Sequence, residues 1–436
     1  IIHLVESAQG SKARIQRIAD RIVPWFVSIT LLLASLTFIY WWMQAGFDTA
    51  LLAATAVLII TCPCALGLAT PMAIAVSTGV AAKHGVLVRN GEALEKLSEI
   101  THVVLDKTGT LTKGRMRVTD IIPADHDIQK NRLLQFAAAV EKHYSHPIAK
   151  AICASLENVS LPFPACHNPQ LLPGLGVAGS VDQHQVWVGN QRLMQKYGIT
   201  IPDAISESCN NIESEMAVPV LIAANGTLLG LLRIEDQLRD GVYDLITYLD
   251  QRGIGITLLT GDSMTAARHL QQQLSDHTSI KPVQVIASVL PEQKASHISA
   301  LQQRGEHVFM AGDGINDAPA LAQADISIAM GSGTDVSMEC SDIVLMSSEL
   351  QRIAWTIALG DRTLKTIRQN LTLSLGYNLI LVPVAMAAWV TPVFAALAMP
   401  LSSLLVIGNA MLIKRHMQSL RDKKNITSVN HCPDQR

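Results

Sequence analysis

The most telling pattern in the chain is where charge is missing. No charged side chain stands between Arg21 and Asp48, between Asp48 and Lys83, or between Gln369 and Ile413. About 20 apolar residues cross a bilayer. The first two runs therefore predict one membrane helix each, at 22–44 and 50–72, and the long third run predicts two. Basic residues flank these spans on one side only. Lys12, Arg14, Arg17 and Arg21 precede the first, Lys83 and Arg89 follow the second, Arg362, Lys365 and Arg368 precede the third, and Lys414 and Arg415 follow the fourth. The connectors near Asp48 and Thr391 carry no positive charge, so the positive-inside rule puts the large middle segment in the cytoplasm.

That middle segment changes period. His102–Leu105 is a short β-rich run that ends in the polar turn Asp106–Thr110, and the pattern recurs at Ile256–Asp262, His307–Asp313 and Asp325–Gly331. Helix-like stretches separate these runs, among them Ser263–Leu274 and Pro291–Arg304. Alternating strands and helices imply a parallel α/β sheet, whose ligands gather at the carboxyl ends of the strands. About 120 residues with their own helix and strand signals intervene between the first strand and the rest, which predicts an inserted second domain. The expected division is 1–21 approach segment, 22–83 membrane helices and stalk, and 84–121 first part of the sheet domain. It continues as 122–232 inserted domain, 233–350 second part of the sheet domain, 351–415 stalk and two further membrane helices, and 416–436 cytoplasmic tail.

Composition agrees. Of 436 residues 49% are hydrophobic and only 16% charged, against about a quarter in ordinary soluble domains. A net charge of -2 gives a nucleic-acid partner no electrostatic support. Seven cysteines in no regular framework suit reduced thiols rather than disulfides. The chain starts at Ile1 with no signal-peptide pattern, and reads as a fragment beginning inside a longer protein.

The chemistry sits at the strand ends. Asp106-Lys107-Thr108-Gly109-Thr110-Leu111-Thr112 directly follows an apolar strand. Later loops supply Thr260-Gly261-Asp262, Lys294 within Pro291-Glu292-Gln293-Lys294, and Gly312-Asp313-Gly314-Ile315-Asn316-Asp317. This order of motifs resembles the P-type ATPases along the whole chain. The resemblance implies a haloacid dehalogenase-like parallel-sheet phosphorylation domain, an inserted α+β nucleotide-binding domain, and four transmembrane helices. It also implies that Asp106 attacks the γ-phosphate of ATP and becomes an acyl phosphate. Thr260, Gly261 and Asp262 would face phosphate oxygens, with Lys294 as the neutralising cation. Asp106, Thr108 and Asp313 would hold Mg²⁺, beside Asn316 and Asp317, since carboxylates and carbonyls are its hard ligands. A phosphatase on the same sheet is the rival reading. Such enzymes usually carry a second aspartate two residues after the nucleophile. Here Thr108 stands in that place, which favours a phosphoenzyme that persists.

In the inserted domain Glu141, His146-Pro147, Gly174-Leu175-Gly176 and Gly189-Asn190 resemble, at their spacing, the ATP pocket of heavy-metal pumps. Glu141 and His146 would meet the adenine, and Gly174, Gly176, Gly189 and Asn190 would let backbone approach the nucleotide. The run from Gly174 to Gly179 also fits a dinucleotide fingerprint, but lacks the strand-to-helix context that the fingerprint requires. Relatives often have Glu before the His-Pro pair, where this chain has Ser145.

Cys62-Pro63-Cys64 lies inside the second uncharged span. Proline removes a backbone hydrogen bond and opens the helix there, and two thiolates are soft ligands suited to Cu(I) and acceptable to Zn²⁺. The motif is similar to the signature of heavy-metal P-type pumps. Tyr377-Asn378 and Met399-Pro400-Leu401-Ser402-Ser403 resemble the copper(I) subgroup, so Tyr377, Asn378, Met399 and Ser403 join Cys62 and Cys64 as implied copper-path residues. Zinc, cadmium and lead pumps of this kind carry a lysine and an aspartate in these spans, and no acid or lysine lies between Gln369 and Ile413. The expectation is ATP-driven Cu(I) or Ag(I) export from a bacterial inner membrane. Lipid bilayer, ATP and a soluble copper carrier would be the partners. The alternatives are a Zn/Cd/Pb pump, an uncoupled ATPase core lacking its actuator, and a sensor that uses the fold without turnover.

Overall fold

The computed structural model describes residues 14–125, 127–215, 217–261, 264–277, 283–313, 317–331 and 335–429. Residues 1–13 of the approach segment and the end of the tail lie outside them, while residues 14–21 already belong to the first helix. Seven strands are hydrogen-bonded in the order Val86–Val88, Ile343–Leu345, Ile326–Ala329, Val308–Gly312, His102–Asp106, Gly255–Leu259 and Gln284–Ile286. Only the first pair is antiparallel among the registers seen, with Val86 opposite Leu345. By contacts the chain divides into two compact units, residues 1–101 with 299–310 and 321–436, and residues 102–298 with 311–320.

In the first unit a helical hairpin, Arg14–Ala45 and Phe47–Ile60, turns at Gly46. The second arm stops at Thr61 and restarts as Cys64–Lys83. Proline at position 63 has no N–H to continue the ladder, and Thr61 caps the first piece by donating its hydroxyl to the Val57 carbonyl at 2.7 Å. Two long helices, Gln351–Met386 and Pro392–Val429, pack on these arms. Their contacts use small residues, among them Ala53, Ala56, Ala65, Ala69 and Ala395, as helices do where lipid removes the hydrophobic drive to associate. Hydroxyl and amide pairs add polar ties: Ser77 with Thr363 at 2.7 Å, and Asn409 donating to Asn370 at 2.8 Å. Outward, large apolar side chains are bare, Met43 at 81% and Trp389 at 82% exposure, a surface that water does not tolerate over such an area.

Among the described residues three helices are long and apolar enough to cross a membrane, Trp25–Ala45, Phe47–Lys83 and Pro392–Ser419. The sequence predicts four spans. The difference lies in Gln351–Met386, whose uncharged half carries Gln369, Asn370, Thr372, Ser374, Tyr377 and Asn378. Lack of charge is not the same as lack of polarity.

In the second unit His102–Asp106 pairs in parallel with Gly255–Leu259, Asp106 opposite Leu259, and that strand pairs in parallel with Gln284–Ile286. A second, antiparallel sheet of six strands begins with Thr112–Pro123 beside Thr227–Leu238. It continues through Val218–Ala224, His184–Gly189, Gly176–Val181 and Cys166–Leu172. The helices Lys130–Glu141 and Pro147–Asn158 bury Leu133, Leu134, Ile152 and Leu156 in one of its cores. Gln191–Lys196 and Asp203–Ser214 bury Leu193, Met194 and Ile205 in another.

Candidate active site

Asp106 ends a strand whose inner residues Val103, Val104 and Leu105 are fully buried. Its carboxylate is therefore fixed at the carboxyl edge of the parallel sheet, 5% exposed. Asp317, 2% exposed, comes from the segment after Val308–Gly312. Lys294, one turn into the helix Pro291–Gln303, places its Nζ 2.6 Å from Asp106 Oδ1 and 2.6 Å from Asp317 Oδ1. Asp313 donates its backbone N–H to Asp317 Oδ2 at 3.4 Å. One carboxylate oxygen from each of Asp106, Asp313 and Asp317 falls within 4.8 Å of the others.

Three carboxyls crowded around one ammonium are costly to ionise. Burial first, then Asp317, pushes Asp106 up to about 7, against the opposing pull of Lys294. Burial and Asp317 likewise raise Asp313 to about 6. Lys294 is held charged: burial works against its proton, but Asp106 and Asp317 outweigh it. Three convergent hard-oxygen donors with this unmet negative charge fit a divalent cation of the Mg²⁺ type.

The loop after Asp106 is built to leave room. Gly109 has φ +73°, and a Cβ placed on it would lie 1.5 Å from Asp313 Oδ2. Only glycine permits both the left-handed turn and the close carboxylate. Thr112 accepts from the Gly109 N–H at 3.1 Å and donates to the Lys107 carbonyl at 3.3 Å. Arg239 donates to the carbonyls of Gly109 and Thr110 at 2.5 and 3.0 Å. Sequence reading gave no role to Thr112, although it closes the motif that starts at Asp106, and missed Arg239, which carries no signal beyond its own residue type. The buried Thr110 hydroxyl has no hydrogen-bond partner among the described residues. Thr108 is exposed beside the buried Asp106.

Thr260 follows the strand Gly255–Leu259 and is 1% exposed. Its N–H donates to Ile286 and its carbonyl accepts from Val289, so Thr260 and Gly261 turn back over the adjoining strand. Asp262 and Asn316 lie outside the described residues.

On the six-stranded sheet Glu141 closes the helix Lys130–Glu141, buried, and burial raises its carboxyl to about 7. His146 caps the next helix by accepting from the Ala149 N–H at 3.3 Å. Its Nε2 stands 3.1 Å from Glu141 Oε2, yet off the line of a hydrogen bond, so that buried oxygen has no such partner among the described residues. Gly176 and Gly189 face each other across paired strands, and a Cβ on either would come within 2.2 Å of a backbone oxygen. Asn190 ties the two loops together by donating to the Gly174 carbonyl at 2.9 Å. Gly174 takes the turn at φ +72° with open space around it.

In the helical unit Cys62 and Cys64 flank the break, and their sulfurs are joined as a disulfide. This corrects the expectation that the chain's cysteines are all free thiols. The reason is local: a proline turn brings the two Cα atoms to 5.4 Å and points both side chains at a shared space. Tyr377 packs on the cluster containing Ala56, Val57 and Ile60, the turns just before the break. Ala65 and Ala69, just after it, meet Val406 and Leu371. The Tyr377 hydroxyl and Asn378 Oδ1 are buried and have no hydrogen-bond partner among the described residues. Met399 is half-buried, and its carbonyl accepts from the Ser403 hydroxyl at 3.5 Å.

The model of the haloacid dehalogenase-like hydrolases matches residues 100–325, more than half of the 436 in the chain. The chain belongs to that family. It is also a homologue of the P-type ATPases. Over 418 residues it is 42% identical to a copper-exporting P-type ATPase of Staphylococcus aureus strain Newman, which covers 95% of this chain and 51% of that protein. The chain thus spans about half the length of the curated relatives it matches. A crystal structure of a zinc-transporting PIB-type ATPase in the E2.Pi state superposes with a TM-score of 0.80 at 34% identity, covering 95% of this chain and 66% of that one. A second crystal structure of a zinc-transporting PIB-type ATPase gives 0.77 at 34% identity, covering 94% of this chain and 66% of that one. Asp106 falls within the matched residues and closes a strand of the parallel sheet, and the exposed Thr108 stands two residues on.

Proposed function

We propose that the chain forms the phosphorylation, nucleotide-binding and cargo-carrying parts of an ATP-driven copper(I) exporter. Asp106, Lys294, Asp313 and Asp317 in one buried cluster are the observation that carries this reading. Asp106 is the nucleophile: its Oδ attacks the γ-phosphorus of ATP, the bond to the β-phosphate oxygen breaks, and ADP leaves. Lys294, already between Asp106 and Asp317, offsets charge on the incoming phosphoryl oxygens. Asp313 and Asp317, with Asp106, would hold Mg²⁺, which when bound neutralises phosphate charge. Gly109 and Arg239 shape the loop so that Asp106 is approached from its open side. With Thr108 in place of a second acid, no side chain two residues on activates water, and the acyl phosphate outlives the nucleotide. Glu141 and His146 receive the adenine, and the glycine pair carries backbone close to the rest of the nucleotide.

Cu(I) is the proposed cargo, taken by Cys62 and Cys64 once their disulfide is reduced, with Tyr377, Asn378, Met399 and Ser403 on the two packed helices. The membrane would be a bacterial inner membrane and the donor a soluble copper carrier. A zinc reading has one observation in its favour, the likeness to a zinc-transporting pump. Against it, no acid lies between Gln369 and Ile413 to add the hard carboxylate ligand that a divalent ion favours.

Acid-stable incorporation of γ-phosphate from labelled ATP, under reducing conditions, tests both. Label that requires Asp106 and rises with Cu(I) but not Zn²⁺ supports the copper pump. Label that persists in Asp106→Asn would overturn the choice of nucleophile, and a response to Zn²⁺ alone would overturn copper.

A further inference from the structure

Among the described cysteines Cys153, Cys166, Cys209 and Cys340 are free, and Cys62 and Cys64 alone are joined. The bond closes across a single residue, Pro63. A ring that short withdraws little freedom from the unfolded chain, so it adds little stability. Its chemistry, rather than its strength as a staple, is what distinguishes it.

The break accommodates the joined pair with both half-helices intact. The Cα atoms stand 5.4 Å apart, inside the range that a disulfide spans. Before the break, the Thr61 hydroxyl donates to the Val57 carbonyl at 2.7 Å. After it, the Gly67 N–H donates to the Pro63 carbonyl at 2.9 Å and the ladder resumes. Nor are the sulfurs sealed in, since Cys64 is exposed and Cys62 half-buried. What the joined pair lacks is ligation: thiolate is the metal ligand, and a disulfide has none. The Tyr377 hydroxyl and Asn378 Oδ1 stay buried without a hydrogen-bond partner among the described residues. Unmet buried polar atoms are costly, so the joined pair is not the only state this site is built to adopt.

A soft site for Cu(I) has one chemical hazard above others, the same metal in its other oxidation state. Cu(II) binds most ligand sets more tightly than its divalent neighbours do, and it takes an electron from thiolate. Two thiols and two Cu(II) give one disulfide, two Cu(I) and two protons. We propose that Cys62 and Cys64 form an oxidation gate on the cargo path. Two Cu(II) ions join the sulfurs, the site loses both thiolate ligands, and uptake stops until a dithiol reopens the pair by exchange. The inference rests on the reading of these two cysteines as the Cu(I) site.

The test takes the full chain, reduced and free of oxygen, with two equivalents of Cu(II) chloride. Alkylation and peptide mass spectrometry should show label at Cys62 and Cys64 falling about tenfold or more while Cys340 keeps its label, because a thiol on the same chain is present at far higher effective concentration than one on another. The Cu(I) produced should appear as its coloured bicinchoninate complex. By competition with the same chelator, the oxidised chain should take up one Cu(I) fewer than the reduced chain. It should bind ATP as before, and dithiothreitol should restore the lost Cu(I). Cys62→Ser, which cannot close the ring, should show no uptake that depends on dithiothreitol. Label persisting at Cys62 and Cys64, earlier loss of label at Cys340, or equal Cu(I) uptake before and after oxidation would each overturn the gate. A reduced parent chain that takes up no more Cu(I) than Cys62→Ser would overturn the cargo reading, and the gate with it.

Discussion

At the scale of single residues the site leaves little freedom. Asp106→Asn keeps size and loses the proposed nucleophile, so phosphoenzyme should disappear while ATP still binds, as filter binding alongside the labelling assay would show. Gly109→Ala should lower labelling by about a hundredfold or more, because a methyl there collides with the Asp313 carboxylate and the backbone is left-handed. If the alanine variant labels normally, the close packing of that loop is not required. Glu141 gives a pH test. Burial raises its carboxyl from 4.5 to about 7. The folded domain therefore favours the protonated form, and that contribution fades as pH rises through about 7. Glu141→Gln should melt a few degrees above the parent at about pH 8, the difference vanishing by about pH 5. A constant difference at all pH values would mean that the carboxyl does not titrate there. The main residues of the cluster were legible in the sequence, because an acid in a glycine turn after an apolar strand has few other uses. Arg239 was not. It stands about 130 residues from the carbonyls it clamps, and a lone arginine in a polar stretch carries no signal of a distant partner.

At the scale of elements, Arg239 links the end of one long strand to the loop that begins another. Arg239→Lys keeps the charge but cannot donate to two carbonyls in one plane. It should slow phosphorylation about tenfold or more at saturating ATP with little change in nucleotide affinity. A change in affinity alone would place Arg239 outside the loop's geometry. The strands themselves were legible by their ends rather than their lengths. Thr112–Pro123 begins within the motif that follows Asp106, and Lys113, Arg115 and Arg117 conceal it as a polar segment. Its partner Thr227–Leu238 supplies the pairing that sequence reading cannot see. The helix Gln351–Met386 failed expectation for the opposite reason. Its polar residues include Asn370 and Ser374, buried against neighbouring helices, so a whole-helix measure of apolarity does not describe the face it turns to lipid.

For the whole molecule the expectation is an insertion with both large soluble portions on one side. Cys340 is exposed and free, and it belongs to the segment expected in the cytoplasm. A membrane-impermeant maleimide should label it in inside-out vesicles and not in intact cells, in a variant whose other cysteines are removed. The reverse pattern would invert the topology and with it the direction of transport. Substrate specificity also belongs to this scale, since the proposed cargo path is shared among several helices and no single residue type announces it. Cys62 and Cys64 were assigned by their motif. Met399 and Ser403, ordinary in an apolar helix, owed their assignment to resemblance.

The break at Pro63 has a consequence in electrostatic terms. Two half-helices meet there, and Cys64 is the first residue of the second. Peptide dipoles leave about half a positive charge at a helix N-terminus. Two thiolates holding one monovalent ion form a complex whose overall charge is negative. A divalent ion in the same pair would be neutral. The positive end of the helix Cys64–Lys83 thus offsets the first complex and gives the second nothing. For the proposed monovalent cargo, the break in the helix is what balances the anionic complex.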